Sequence, residues 1–242
     1  MTMKMKAFSA ALAMSLLSAA AVAVPTLGDL TGNSALDPVT DTGAEYVSLT
    51  DTDGDRDTAT SQLLIQDAGF KMNTSFGIYS FTRDGDGMLM VDQMLEVFKA
   101  DDPAFDTGTG TTTTITFDLA NGTADAAGNI ANIGSQFGFY IKNDVDGGGF
   151  TWYTHRELNS DGERHAAIYH PGKYGLQDEN PLLGSDVVVA FEDLCATCGS
   201  DFDFNDMVVG VNDVRPVPEP GTLALLGLGL AGLGAARRRL KS

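Results

Sequence analysis

Cysteine, basic residues and long apolar runs are all scarce in this chain, and each scarcity excludes a class of function. Only Cys195 and Cys198 occur in 242 residues. Two thiolates are too few for a structural zinc site, and no βαβ pattern surrounds them to support a thioredoxin-like pair. In an oxidising compartment they read as a disulfide closing a tight loop, with a redox pair as the functional alternative. Lys and Arg number 15 against 33 Asp and Glu, a formal charge of −18. Such a charge repels nucleic acid and anionic membrane, favours solubility and invites cations. No uncharged apolar run reaches the roughly twenty residues of a relaxed transmembrane helix. The chain has no G-x-S-x-G and no H-E-x-x-H, so neither a serine esterase nor a zincin of those types finds support.

What is present begins at the two ends. Lys4 and Lys6 precede an apolar, small-residue stretch over 7–20, and Ala21-Val22-Ala23 fits an A-x-A cleavage site, so residues 1–23 read as a secretory signal peptide. At the other end Pro216, Pro218 and Pro220 keep the chain extended. They lead into an apolar run over 223–236 and then Arg237, Arg238, Arg239 and Lys241. Gly227, Gly229, Gly232 and Gly234 weaken that run as a helix, and its cationic end stays cytoplasmic while the body is exported. Pro218-Glu219-Pro220-Gly221, the Leu/Gly/Ala run and the terminal Arg cluster together resemble a PEP-CTERM sorting signal over residues 217–242. That resemblance implies a Gram-negative bacterium and export through signal peptidase and an exosortase. The inner-membrane tether it implies is transient, made by the tail alone before processing, and the final address is the cell surface or beyond.

Without both signals, the remaining body of about 195 residues holds nine basic and thirty-two acidic residues, a charge near −23, and its length suits one domain. Residues 24–43 form an irregular leading arm, 44–215 the domain and 216–242 the tail. Within the domain, short β-type runs recur at 45–49, 62–65, 76–81, 94–98, 111–119, 137–141, 150–154, 166–169, 186–191 and 207–211. They are separated by turns rich in Gly, Asp and Asn. Residues 88–100 carry the one possible helix, or else two short strands. The Thr-rich segment 107–116 fits an exposed edge strand, with a glycosylated tract as the alternative. About ten strands without βα alternation predict an all-β, antiparallel sandwich or jelly-roll-like fold.

The densest chemistry lies in Glu192-Asp193, the cysteine loop, and Asp201-Phe202-Asp203-Phe204-Asn205-Asp206. An extended backbone would place Asp201, Asp203 and Asn205 on one side and turn Phe202 and Phe204 into the core. Two carboxylates about 5 Å apart repel by roughly 3 kcal/mol at an effective dielectric near 20. Nine acids and no Lys or Arg lie between Lys173 and Arg215. Either the carboxylates splay into water, or a hard divalent ion neutralises them, and oxygen-only ligands in irregular loops suit Ca²⁺. Glu192, Asp193, Asp201, Asp203, Asn205 and Asp206 are therefore the candidate metal ligands. A second candidate set is Asp51, Asp53, Asp55 and Asp57. It opens like an EF-hand loop but has Arg56 at the glycine position and Gln62 at the position of the closing Glu. A calcium loop of another kind and a solvated acidic turn both fit it. Asp84, Asp86, Asp144 and Asp146 are explained by turn chemistry.

Asn73-Thr74-Ser75-Phe76-Gly77-Ile78-Tyr79, the run 137–141, His165 and the two acidic halves resemble the domain of unknown function 4114 family. The match is strongest over 134–211, and the Cys195–Cys198 loop looks like a local elaboration. The resemblance implies a secreted or surface protein whose acidic end motif binds Ca²⁺, and it implies no activity.

Two functions compete. The first is a non-enzymatic cell-surface or extracellular-matrix protein of an exopolysaccharide or biofilm setting, stabilised by Ca²⁺ and adhesive or glycan-binding. Trp152 and Tyr153 would serve as its sugar platform, although in a strand their side chains face opposite ways. The second is a secreted hydrolase acting on polysaccharide. It would use Glu192 with Asp203 as acid and base, or a metal held among His155, Glu157, Glu163, His165 and His170. The stretch from His155 to His165 otherwise reads as a polar hairpin with surface histidines. With no catalytic motif to anchor the second, the expectation is a protein that is not an enzyme.

Overall fold

A computed structural model describes residues 42–66, 74–98, 112–144, 149–170 and 185–217, the side chains of 64–66 excepted. The signal peptide with Ala21 and Ala23, most of the leading arm, and the tail with Pro218, Glu219, Pro220, Arg237, Arg238 and Arg239 lie outside these residues. So do Asn73, Asp146 and the first half of the Thr-rich segment.

Among the described residues thirteen strands form two antiparallel sheets. In chain order they are β1 (Tyr46–Leu49), β2 (Arg56–Gln66), β3 (Thr74–Arg83), β4 (Leu89–Phe98), β5 (Thr112–Asp118), β6 (Thr123–Ala126) and β7 (Asn129–Ala131). They continue as β8 (Gln136–Asn143), β9 (Phe150–Tyr153), β10 (Ala166–Tyr169), β11 (Val187–Phe191), β12 (Met207–Asn212) and β13 (Val214–Val217). The first sheet runs β13-β1-β8-β3-β4, with β9 also paired to β8. The second runs β10-β11-β12-β2-β5-β6-β7. The expected sandwich is the observed one.

Its core follows from period-two alternation. Phe137, Phe139 and Ile141 of β8 face Val187, Val189 and Phe191 of β11, with Phe76, Ile78, Ile115, Phe117 and Val209 in the same cluster. Each such side chain contributes roughly 1.5–3 kcal/mol on burial. β10, β11 and β12 depart from alternation because they are covered on both faces. Ala167, Tyr169, Val188, Ala190 and Val208 form a second cluster on the outer face of their sheet, under Phe204 and Phe202. Continuous apolar runs such as Val187–Phe191 are the sequence mark of strands covered in this way.

On the outer face of the first sheet, two glycines accept two tyrosines. Gly77 pairs with Tyr140 and Tyr79 with Gly138 across β3 and β8. A Cβ on Gly138 would lie 2.4 Å from Tyr79 Cζ, and one on Gly77 2.5 Å from the Tyr140 ring. The Tyr79 hydroxyl reaches Nδ1 of His155 at 2.5 Å.

Several expectations change. Residues 89–98 form a strand, not a helix, because β4 pairs along β3 through to Phe98. β5 is no edge, since it lies between β2 and β6, although β6 covers only its Ile115–Asp118 part. The short strands β6, β7 and β13 had no distinct signal. β13 pairs with β1 as far as Val217, two residues past the expected domain limit.

Candidate functional site

The register of the second sheet builds the site. Phe191 pairs with Met207 across β11 and β12, and with Ala166 across β10 and β11. The next residue along, Glu192, is thereby set beside Asp206 on one side and His165 on the other. Its backbone N–H donates to the His165 carbonyl at 3.0 Å. The connection from 194 to 205 begins with a tight turn closed by the Cys195–Cys198 disulfide, with a Cα–Cα distance of 4.9 Å. The loop then arches over the outer face of the sheet.

That arch is not an extended strand. Phe202 and Phe204 have φ of 55° and 57°, a left-handed conformation that costs a non-glycine residue on the order of 1–2 kcal/mol. The left-handed residues alternate with their neighbours and curl the segment. Phe202 and Phe204 therefore cover the outer face of β10–β12 and do not enter the space between the sheets. The Arg164 guanidinium sits 5.9 Å over the Phe204 ring. Asp203 and Asn205 turn inward and are buried, while Asp201 stays exposed.

Five carboxylates converge. Ligand atoms of Glu192, Asp201 and Asp203 lie within 4.8 Å of one another, and so do those of Glu192, Asp193 and Asp206. That span fits oxygens on one Ca²⁺, whose bonds are about 2.3–2.6 Å. Glu192 belongs to both sets and is 2% exposed. Its Oε2 is buried without a hydrogen-bond partner. Burial, followed by the charges of Asp201, Asp203 and Asp193, pushes the Glu192 carboxyl up to about 7 despite a bond to Ser200. Burial likewise pushes Asp206 up to about 8, with Asp193 and Glu192 adding to the rise. Asn205 supports the group from behind, donating from Nδ2 to Asp203 Oδ2 at 2.6 Å.

A brace reaches the same residues from the interior. Trp152 donates from Nε1 to the Asp193 carbonyl at 2.9 Å. Its ring stacks on His165 at 3.7 Å and 4°. His165 Nε2 lies 2.9 Å from Asp161 Oδ2 and Nδ1 lies 3.3 Å from the Glu192 carbonyl. Asp161 Oδ2 also accepts the Ala196 N–H of the disulfide loop at 3.2 Å. Among these, His165 and Trp152 stood out in the sequence, Trp152 as half of a sugar platform, whereas Asp161 did not. Trp152 and Asp161 are brought in by strand order, for which no local motif exists.

The other candidates are placed elsewhere. Asp51, Asp53 and Asp55 are exposed in the loop before β2, and Asp57 is half-buried at its start. Among the described residues they form no three-carboxylate group within 4.8 Å. At the far end of β11 and β12, Asp213 is raised by burial and then by the charges of Asp186, Asp57 and Asp51. Asp84 accepts the Asp86 and Met88 N–H groups, as turn chemistry requires.

The histidine hairpin is corrected: His155 and His165 are both buried. His155 packs with Tyr46 and Phe81, and burial lowers it to about 4. Glu157 pairs with Arg83 and Glu163 with Arg156, so the five residues do not gather as ligands. Trp152 points into the core and Tyr153 to the outer face against Tyr79, so they form no joint platform.

Residues 216–239 match the family model described as the PEP-CTERM protein-sorting motif. The chain carries an export-sorting tail. This motif makes the protein an exosortase substrate, exported and sorted to the cell surface of a Gram-negative bacterium. The match begins within β13, since Pro216 and Val217 belong to both. No curated protein and no solved structure matches the chain. Among the described residues no helix is long and apolar enough to cross a membrane.

Proposed function

We propose that the exported body is a non-enzymatic surface or matrix protein of the kind resembling the domain of unknown function 4114 family, held in its functional form by Ca²⁺ at the Glu192 cluster. The observation that carries this is the Glu192 carboxylate, buried, with one oxygen lacking a partner, and shared by two sets of converging carboxylates. A buried ionised carboxylate without compensation costs several kcal/mol, and a divalent ion supplies that compensation. Hard oxygen ligands from a strand end and an irregular loop match the flexible coordination of Ca²⁺ better than the strict octahedron of Mg²⁺.

A hydrolase reading fits the site less well. Glu192 has the raised affinity for a proton that a general acid needs. At 2% exposure, however, its oxygens have no opening to a polysaccharide. Adhesion to extracellular polysaccharide remains the role that suits the address, with the half-buried Tyr153 on the outer face of the first sheet in place of a Trp152–Tyr153 pair.

Thermal unfolding of the exported protein in millimolar Ca²⁺ and in EDTA tests the reading. If the ion binds only the folded state, Ca²⁺ at about 100 times its dissociation constant adds about 2.7 kcal/mol per site. Superimposable melts in the two conditions would sink it. A glycan array probed in both conditions tests adhesion separately, with ion-dependent binding expected.

A further inference from the structure

We infer that the cluster holds two divalent cations bridged by Glu192, one in the Glu192–Asp201–Asp203 set and one in the Glu192–Asp193–Asp206 set. The inference rests on the calcium reading above and goes beyond it in assigning a second ion and a bridging role.

Geometry is the first argument. Oxygens on one Ca²⁺ lie within about 5 Å of each other, because each is about 2.3–2.6 Å from the ion. Asp201 and Asp203 meet this limit with Glu192, and Asp193 and Asp206 meet it with Glu192, but the five residues do not form one common set. A single ion therefore takes one pair or the other. The two pairs also come from different elements. Asp193 and Asp206 extend β11 and β12, whereas Asp201 and Asp203 belong to the left-handed arch. The residue they share is the one placed between them by the strand register.

Charge is the second argument. One divalent ion offsets two of five negative charges and leaves the other carboxylate pair facing a half-neutralised group. Two ions offset four. Carboxylates have two oxygens and readily bridge two metals about 3.5–4 Å apart. The Glu192 Oε2 that lacks a partner supplies the second bridging atom. Asp206 Oδ2 is tied by the Asp193 N–H at 2.7 Å, which fixes that carboxylate at the end of β12.

The molecule carries its own probe. Trp152 is the single tryptophan, and its indole N–H donates to the Asp193 carbonyl at 2.9 Å. Excitation of Trp152 should sensitise Tb³⁺ bound in the cluster. The experiment combines Ca²⁺ stoichiometry by calorimetry on the exported protein with Tb³⁺ luminescence, repeated with Eu³⁺ as co-bound acceptor. The expected result is two Ca²⁺ per chain and strong quenching of Tb³⁺ by Eu³⁺. Asp201→Asn and Asp206→Asn should each lose one ion, and Glu192→Gln should weaken both by tenfold or more. One Ca²⁺ per chain with no Tb³⁺–Eu³⁺ transfer would overturn the two-ion site while leaving the calcium reading intact. Two ions of which neither is lost in Asp206→Asn would also overturn it, placing the second ion elsewhere. No binding, no luminescence and no effect of EDTA would remove the calcium reading itself. The stoichiometry and the energy transfer use the unaltered chain, so the outcome does not depend on any variant folding.

Discussion

Replacing Glu192 by Gln should stabilise the ion-free protein above neutral pH and blunt its response to calcium. In the ion-free protein, burial first and then the surrounding Asp charges raise the Glu192 carboxyl from 4.5 to about 7. A raised carboxylate binds its proton in the folded state after the unfolded chain has released it. The Glu192 contribution therefore favours the ion-free fold at low pH, is lost as pH rises from about 4.5 to about 7 and then levels off. Asp206 carries a further loss on to about 8 in parent and variant alike. For Glu192 the difference between 4.5 and about 7 corresponds to a loss of roughly 3 kcal/mol. Gln has the same shape and no charge, so in EDTA the variant should match the parent near pH 4.5 and exceed it by up to about 3 kcal/mol at pH 8. For a domain of this size that is about 6–12 °C in Tm. With Ca²⁺ at 100 times its dissociation constant the parent gains about 2.7 kcal/mol per site, and the variant, binding tenfold or more weakly without the shared ligand, gains about 1.4 kcal/mol or less. Differential scanning calorimetry at both pH values, in EDTA and in Ca²⁺, gives four comparisons. A variant less stable than the parent in EDTA at pH 8, or one that Ca²⁺ shifts as far as the parent, would refute the reasoning.

Three further expectations concern the frame around the site. Gly138→Ala should cost about 3 kcal/mol or more, because its Cβ would meet the Tyr79 ring at 2.4 Å and Tyr79 is buried and tied to His155; chemical denaturation measures it, and the cost should shrink in a Tyr79→Leu background. Ser61→Ala should be neutral or stabilising by about 1 kcal/mol, since the Ser61 hydroxyl is buried without a partner, and a clear loss in Cm would show a partner in solution. Reducing the Cys195–Cys198 bond should cost at most about 2 kcal/mol of stability, because it closes a very short loop; Ca²⁺ affinity should fall by severalfold, read by calorimetry with and without a thiol reductant.

How far the sequence carries depends on whether the deciding contact is local. Ile115, Phe117 and the alternation along 76–81 located strands and their inner faces, because a half-buried strand prints its own period. Glu192, Asp193 and Asp201–Asp206 were legible as an acidic constellation for the same reason, being near neighbours in the chain. Their backbone was not. Period two suggested an extended segment, yet Phe202 and Phe204 are left-handed, because the apolar surface they cover is the outer face of β10–β12. That surface exists only after the sheet has assembled. The buried state of His155 and His165 was hidden likewise. His155 finds Tyr79, and His165 finds Trp152 and Asp161, through pairings that sequence distance does not encode.

The tail and the fold share residues, and this constrains how export and folding fit together. Val217 pairs with Tyr46 and Pro216 with Val47 along the edge of the first sheet, while the sorting match starts at Pro216. Proline suits that edge because it has no N–H to donate to a further strand. A cut beyond Val217 leaves the β1–β13 ladder whole, whereas a cut before Pro216 removes half of it and uncovers one side of β1. Val214, at the other end of β13, is buried in the core, so the body tolerates loss of the tail only up to the strand. On the calcium reading, the same boundary separates two chemical conditions. Before export, low free Ca²⁺ leaves five converging carboxylates without compensation; outside, millimolar Ca²⁺ and an oxidising medium supply the ions and close the loop between Cys195 and Cys198. The acidic cluster then makes the folded body more stable at its destination than at its origin.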